Sequence, residues 1–150
     1  MKIHYRDPIT DRLSERWEAF EEQATVLASQ LRQFGFRIDQ LNYSQIRAAR
    51  SWRFTAILKN SQRVIHLSLT TSRQHTGAVS FLIYPKSGKG RHINLYKYLR
   101  KHFGMLDRKY LFLSRYRGDF SYRLQKVIKS YARFSQFYMQ SILQGTSWDE

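Results

Sequence analysis

Not one cysteine occurs in the 150 residues of this chain, which removes disulfides, thiolate metal ligands and cysteine nucleophiles together. Long apolar runs are missing too. The longest lies around Ala78–Pro85 and is broken by Ser80, far short of the roughly 18 residues that a membrane span needs. The first residues, MKIHYRDPITDR, mix charge with proline and contain no apolar core of a secretory signal. A cytoplasmic location without membrane contact is the expectation. Internal repeats, low-complexity tracts and linkers long enough to separate domains are also absent, so residues 1–150 are expected to form one domain.

Acidic residues are the most telling shortage. Six of the eleven acids lie in residues 1–22, against four bases there. Between residues 23 and 148 only Asp39, Asp107 and Asp119 remain, against twenty-two Lys and Arg, and residues 40–106 contain twelve bases and no acid. Surfaces normally intersperse both signs, because self-repulsion opposes a compact state. A chain with a net charge of +15 arranged in this way is expected to meet a polyanion, RNA or DNA above all.

The composition is that of a folded domain: 42% of residues are hydrophobic and 15% aromatic. Leu13, Trp17, Phe20, Ala24, Leu27, Leu31 and Phe34 recur at alternating intervals of three and four, one stripe of a helix. Asp7 or Thr10 can cap its start, and Gly35 can end it. The stripe can pack on the domain's own sheet or, as three heptads, form a homodimer or bind a protein partner. After Gly35 the period becomes two. Residues 36–46 form a weak, polar strand candidate, while Trp52–Lys59, Arg63–Thr70 and Ala78–Tyr84 are strong ones, the first two joined at Asn60-Ser61. One parity of these three strands is apolar, and the other carries Arg53, Thr55, His66, Ser68, Thr70, Ser80 and Tyr84. A helix is predicted from about His92 to Phe103, a short strand over Lys109–Ser114, and a long helix from Asp119 or Ser121 to Leu143. The fold class is α+β: an antiparallel sheet of four to five strands, an N-terminal and a long C-terminal helix on one face, and a short helix after the sheet.

Three segments carry the binding chemistry. In the last helix Leu124, Val127, Ile128, Tyr131, Phe134, Tyr138 and Ile142 share a face. Arg123, Lys126, Lys129 and Arg133 form an adjoining basic stripe with Phe137 at its edge, able to follow a phosphate backbone. The loop Pro85–Arg91 offers Lys86, Lys89 and Arg91 among glycines, ahead of a helix N-terminus where anions are favoured. It is not a phosphate loop of the G-x-x-x-x-G-K-[ST] type. In Tyr110–Tyr122 aromatics alternate with Arg115 and Arg117. There Tyr116 is expected to be exposed for stacking, while Phe112 and Phe120 are expected in the core. The order helix, strands, helix resembles that of a double-stranded-RNA-binding domain in order alone. That family's Lys-Lys-x-Ala-Lys signature is absent, and further elements follow.

Catalysis finds little to build on. Carboxylates are too few after Glu22 for two-metal chemistry, the five histidines lack ligand spacing, and no G-x-S-x-G elbow occurs. No metal or cofactor is expected. The expected function is non-enzymatic nucleic-acid binding, with Arg53 and His66 on the polar sheet face adding to the basic surface. The alternatives are a small metal-independent ribonuclease using His66 with Arg53 alongside, and a module or inhibitor that docks on a nucleic-acid enzyme.

Overall fold

Alternating residues from Phe36 onward form the sheet, and the helical stripe that precedes them covers one of its faces. The structure, a computed structural model, describes residues 2–5, 11–46, 50–72, 75, 77–104 and 110–148. The chain runs β1 (Lys2–Tyr5), α1 (Asp11–Gln30), β2 (Arg37–Ile46), β3 (Ser51–Lys59), β4 (Arg63–Thr71), β5 (Ala78–Pro85), β6 (Ile93–Asn94), α2 (Leu95–Phe103), α3 (Phe120–Tyr138) and α4 (Gln140–Gln144). The strands lie in sequence order. β2 to β6 are antiparallel, as expected, and β1 adds a parallel edge beside β2. The proposed cap of α1 at Asp7 or Thr10 lies outside the described residues.

The apolar parity points to the helices. Phe54 faces Leu69 across β3–β4, Ala56 faces Leu67, and Leu67 in turn faces Phe81 on β5. All five are buried in one core with Phe20, Ala24 and Leu27 of α1 and Val127, Ile128 and Tyr131 of α3, where Phe20 meets Phe54 and Tyr131 meets Phe81. Each fully buried Leu or Phe contributes about 1.5–3 kcal/mol. Trp17 stands edge-on to Tyr43 at 4.9 Å and to Phe54 at 5.3 Å, joining α1 to the sheet. The α1 stripe therefore packs on its own sheet, and its buried residues are not available as a coiled-coil seam.

Three elements differ from expectation. Residues 110–115 form tight 3₁₀ turns, including Leu113–Arg115, rather than a strand. Their alternation arises because Leu111 and Leu113 reach the core in turn while Phe112 stays exposed. Lys109 lies outside the described residues. Helix α2 begins at Leu95, not His92, because Ile93 and Asn94 first pair with β5 and Asn94 then caps the helix, accepting from Lys97 N–H at 3.2 Å. The last helix breaks at Met139. This turns α4 so that Ile142 and Leu143 are buried, and their carbonyls accept from Arg63 Nε at 3.0 Å and Asn60 Nδ2 at 3.0 Å. Helix carbonyls that lack an intrahelical partner are thus satisfied by the β3–β4 turn.

Candidate nucleic-acid interface

Helix α3 starts where Asp119 Oδ1 accepts the Tyr122 N–H at 2.8 Å. That cap sets the rotation of everything after it. Leu124, Val127, Ile128, Tyr131 and Phe134 turn inward, and the Tyr131 ring stacks on Phe81 at 5.4 Å while its hydroxyl donates to the Val79 carbonyl at 3.0 Å. Burial raises the pKa of that hydroxyl, so it stays a neutral donor. With this face anchored, Lys129 and Arg133 are exposed and Lys126 is half-buried. The three span about 10 Å of helix axis. Lys126 Nζ lies 5.3 Å from the centre of the Tyr122 ring and the Arg133 guanidinium 5.3 Å from that of Phe134, contacts that hold a cation in place without neutralising it. Arg123, one turn before Lys126, differs from the other three in its guanidinium. It lies half-buried, and its Nε is buried with no hydrogen-bond partner among the described residues.

Two grooves flank the stripe and share Lys129 and Arg133. One, of about 230 Å³, is lined by Tyr110, Tyr116, Lys126 and Ser130. Tyr116 is not the exposed stacking residue expected. Its hydroxyl donates to the Tyr110 carbonyl at 3.1 Å and meets Ser130 Oγ at 3.3 Å, which makes it a half-buried wall. Phe112, expected in the core, is exposed, and Phe120 is half-buried. Arg115 lies over Tyr110 at 5.0 Å, and both Arg115 and Arg117 are exposed. The second groove, of about 550 Å³, runs between the end of α1 and α3, walled by Gln30, Gln33, Phe34, Gln136, Phe137 and Gln140.

The remaining candidates lie on the opposite side of the molecule, on the sheet face that the helices leave uncovered. Arg53 is exposed there, in register with Thr70; His66 is half-buried, in register with Ile57 and Leu82. The two are not neighbours. Thr70 and His66 are four residues apart along β4, about 13 Å, with the Thr55–Ser68 row between them. His66 packs instead on Tyr84 at 4.6 Å, and Tyr84 on His92 at 5.2 Å. Burial, with smaller effects from Lys59 and His92, holds the His66 pKa below its ordinary 6.5, so the imidazole is neutral at pH 7. The Lys86–Arg91 loop closes over the end of this face, where a β-carbon on Gly88 would lie 3.6 Å from Val64. Lys86, Lys89 and Arg91 are exposed on it, and the two residues of β6 intervene between this loop and the α2 N-terminus.

No family model, curated protein or solved structure matches the chain.

Of the few acids of residues 23–148, the two described ones are committed elsewhere. Asp39, at the β2 bulge, pairs with Lys59 at 3.2 Å, and Asp119 caps α3; Asp107 lies outside the described residues. Two bases are structural. Arg16 of α1 is buried and donates to Thr71 Oγ1 and to the Ser72 and His75 carbonyls, holding the β4–β5 connection. Arg63 is buried beneath Trp148. Sequence reasoning missed both, since a buried arginine has no signal apart from its neighbours. It also passed over Lys97 and Arg100, exposed on α2 and legible as basic positions three apart. The groove glutamines were missed because uncharged polar residues acquire meaning only once the fold gathers them. Among the described residues no three His, Asp or Glu are grouped to hold a metal ion, and no helix is long and apolar enough to cross a membrane.

Proposed function

We propose that this chain binds nucleic acid without catalysing a reaction on it, holding the phosphate backbone against the outer face of α3 and responding to shape more than to sequence. One observation carries this: Lys126, Lys129 and Arg133 lie in a row on the outward side of α3, and no described carboxylate is paired with any of them. Such a row adds to the pull on phosphates because each contact releases condensed counterions. Arg115 and Arg117, in the turn before α3, extend the positive surface. Lys and Arg contacts of this kind position a backbone and carry no base information themselves.

The ribonuclease alternative sets Arg53 alongside His66 as the phosphate clamp that a general base needs, but Arg53 is about 13 Å away along the strand. Incubation with RNA in EDTA should therefore give binding and no cleavage.

The loop on the far face separates this interface from a diffuse basic surface. Replacing Lys86, Lys89 and Arg91 together with alanine should shift stability by less than about 0.5 kcal/mol, since the positions are exposed and polar. Affinity should fall by no more than about threefold, because charges farther than a Debye length of about 8 Å act only weakly through salt. Filter binding of the triple variant beside the unmodified protein checks this. A loss as large as that of the α3 variants would move the interface to the sheet face.

A further inference from the structure

Phe137 stands out among the large apolar side chains. It is 76% exposed, whereas Phe103, Phe112 and Tyr122 are between 45% and 48% exposed. It occupies the solvent edge of the 550 Å³ groove, one helical turn beyond Arg133, with its ring edge-on to Tyr138 at 4.8 Å. That contact supports the ring from one side while leaving the rest open. On the groove wall, Gln33 Nε2 donates to Gln136 Oε1 at 2.6 Å. The bond leaves the Gln33 carbonyl oxygen and the Gln136 amide N–H groups without a described partner, so the wall keeps one acceptor and one donor group open. Phe34 lines the groove between the helices, and Lys129 and Arg133 form its border with the stripe.

These groups match the parts of one nucleotide. An exposed aromatic ring is a stacking surface for any base, the open amide groups of the wall can meet the edge of a base that has lost its partner, and the two cations stand where its phosphates would run. A base within a duplex presents neither its face nor its pairing edge. We infer that the occupant of this groove is an unpaired base, and that the chain prefers single-stranded polynucleotide over duplex. The inference rests on the proposed α3 phosphate contact and adds to it the strandedness of the ligand. The four amides, without a carboxylate among the lining residues, make the groove tolerant of base identity rather than selective.

The test uses 15-nucleotide single strands of RNA and of DNA and the corresponding duplexes, with Phe137→Ala, Phe137→Trp and the unmodified protein at one salt concentration. The unmodified protein should bind the single strands at least about tenfold more tightly than the duplexes. Phe137→Ala should lose about 5- to 150-fold on single strands, the range for removing one base–aromatic stack, while duplex affinity stays within about twofold. Phe137→Trp should restore single-strand binding, with tryptophan emission quenched by single strand and not by duplex. RNA bound more tightly than DNA, or the reverse, keeps the inference as long as Phe137→Ala weakens both. The inference is overturned if Phe137→Ala binds single strands like the unmodified protein, or if it loses both forms equally. If single strands also bind unchanged after reversal of Lys126, Lys129 and Arg133, the underlying phosphate contact fails as well; if that reversal abolishes binding while Phe137→Ala does nothing, only the base groove fails. Because Phe137 is mostly exposed, all variants should melt together, which keeps the comparison free of folding effects.

Discussion

Reversal of Lys126, Lys129 and Arg133 to glutamate should lower affinity for duplex DNA at 0.1 M salt on the order of 10²–10³-fold, taking about 0.9 log unit for each phosphate contact removed. The change should leave the fold standing. Lys129 and Arg133 are exposed and Lys126 is half-buried on the outward side of α3, while the neighbours that anchor the helix, Leu124, Val127, Ile128 and Tyr131, are untouched. Glutamate is about as good a helix former as lysine or arginine. The cation–ring interactions that disappear at Tyr122 and Phe134 are worth about 0.5–1 kcal/mol each at exposed sites. Melting curves and binding isotherms on the same samples decide between a binding and a structural role. A variant that unfolds while its folded fraction still binds would make the stripe structural.

The converse behaviour is expected of Arg63→Met. Arg63 is buried and donates from Nε to the Ile142 carbonyl at 3.0 Å, from Nη1 to that of Gln62 at 2.9 Å and from Nη2 to that of Ser147 at 2.8 Å. Burial depresses its pKa, yet an arginine stays charged at any pH the fold would meet. Methionine keeps much of the apolar stem but removes every donor, leaving the carbonyls at the end of α4 without them. Hydrogen bonds from a charged group contribute about 1.5–3 kcal/mol each, and the loss is not additive as the tail rearranges, so about 3–5 kcal/mol is expected. For a chain of this size that lowers Tm by roughly 6–20 °C. The salt dependence of nucleic-acid binding by the folded protein should not change, because Arg63 lies under the C-terminal segment and away from the α3 stripe. A shallower salt slope in Arg63→Met would place this arginine in the interface.

The contrast between these two variants shows which regions of the molecule were legible in the residues alone. Periodicity was sufficient for α1, for β3 to β5 and for the inward face of α3, because burial on one side writes a period of 3.6 or 2 directly into the chain. The outward placement of Lys126, Lys129 and Arg133 followed from the same wheel. Arg123 shares that wheel, but the wheel does not reveal that its Nε is buried without a hydrogen-bond partner among the described residues. In residues 110–115 a period of two reflected alternate burial without any strand partner. The start of α2 was obscured by β6, whose two residues are too few to alternate. Arg16 and Arg63 were counted with the surface charge, although backbone carbonyls from distant segments enclose them. Arg53 and His66 share a sheet face by parity, but parity does not reveal that the Thr55–Ser68 row separates them.

Binding measured across a salt series, on a duplex DNA and on a single strand of the same length, tests the phosphate contact most directly. With the stripe, Arg115 and Arg117 making about five contacts, the log–log slope should be roughly −4 to −5 on the duplex and about −3.5 on the single strand. A flat response, or no binding to either at low salt, would contradict the proposal that α3 is a nucleic-acid interface.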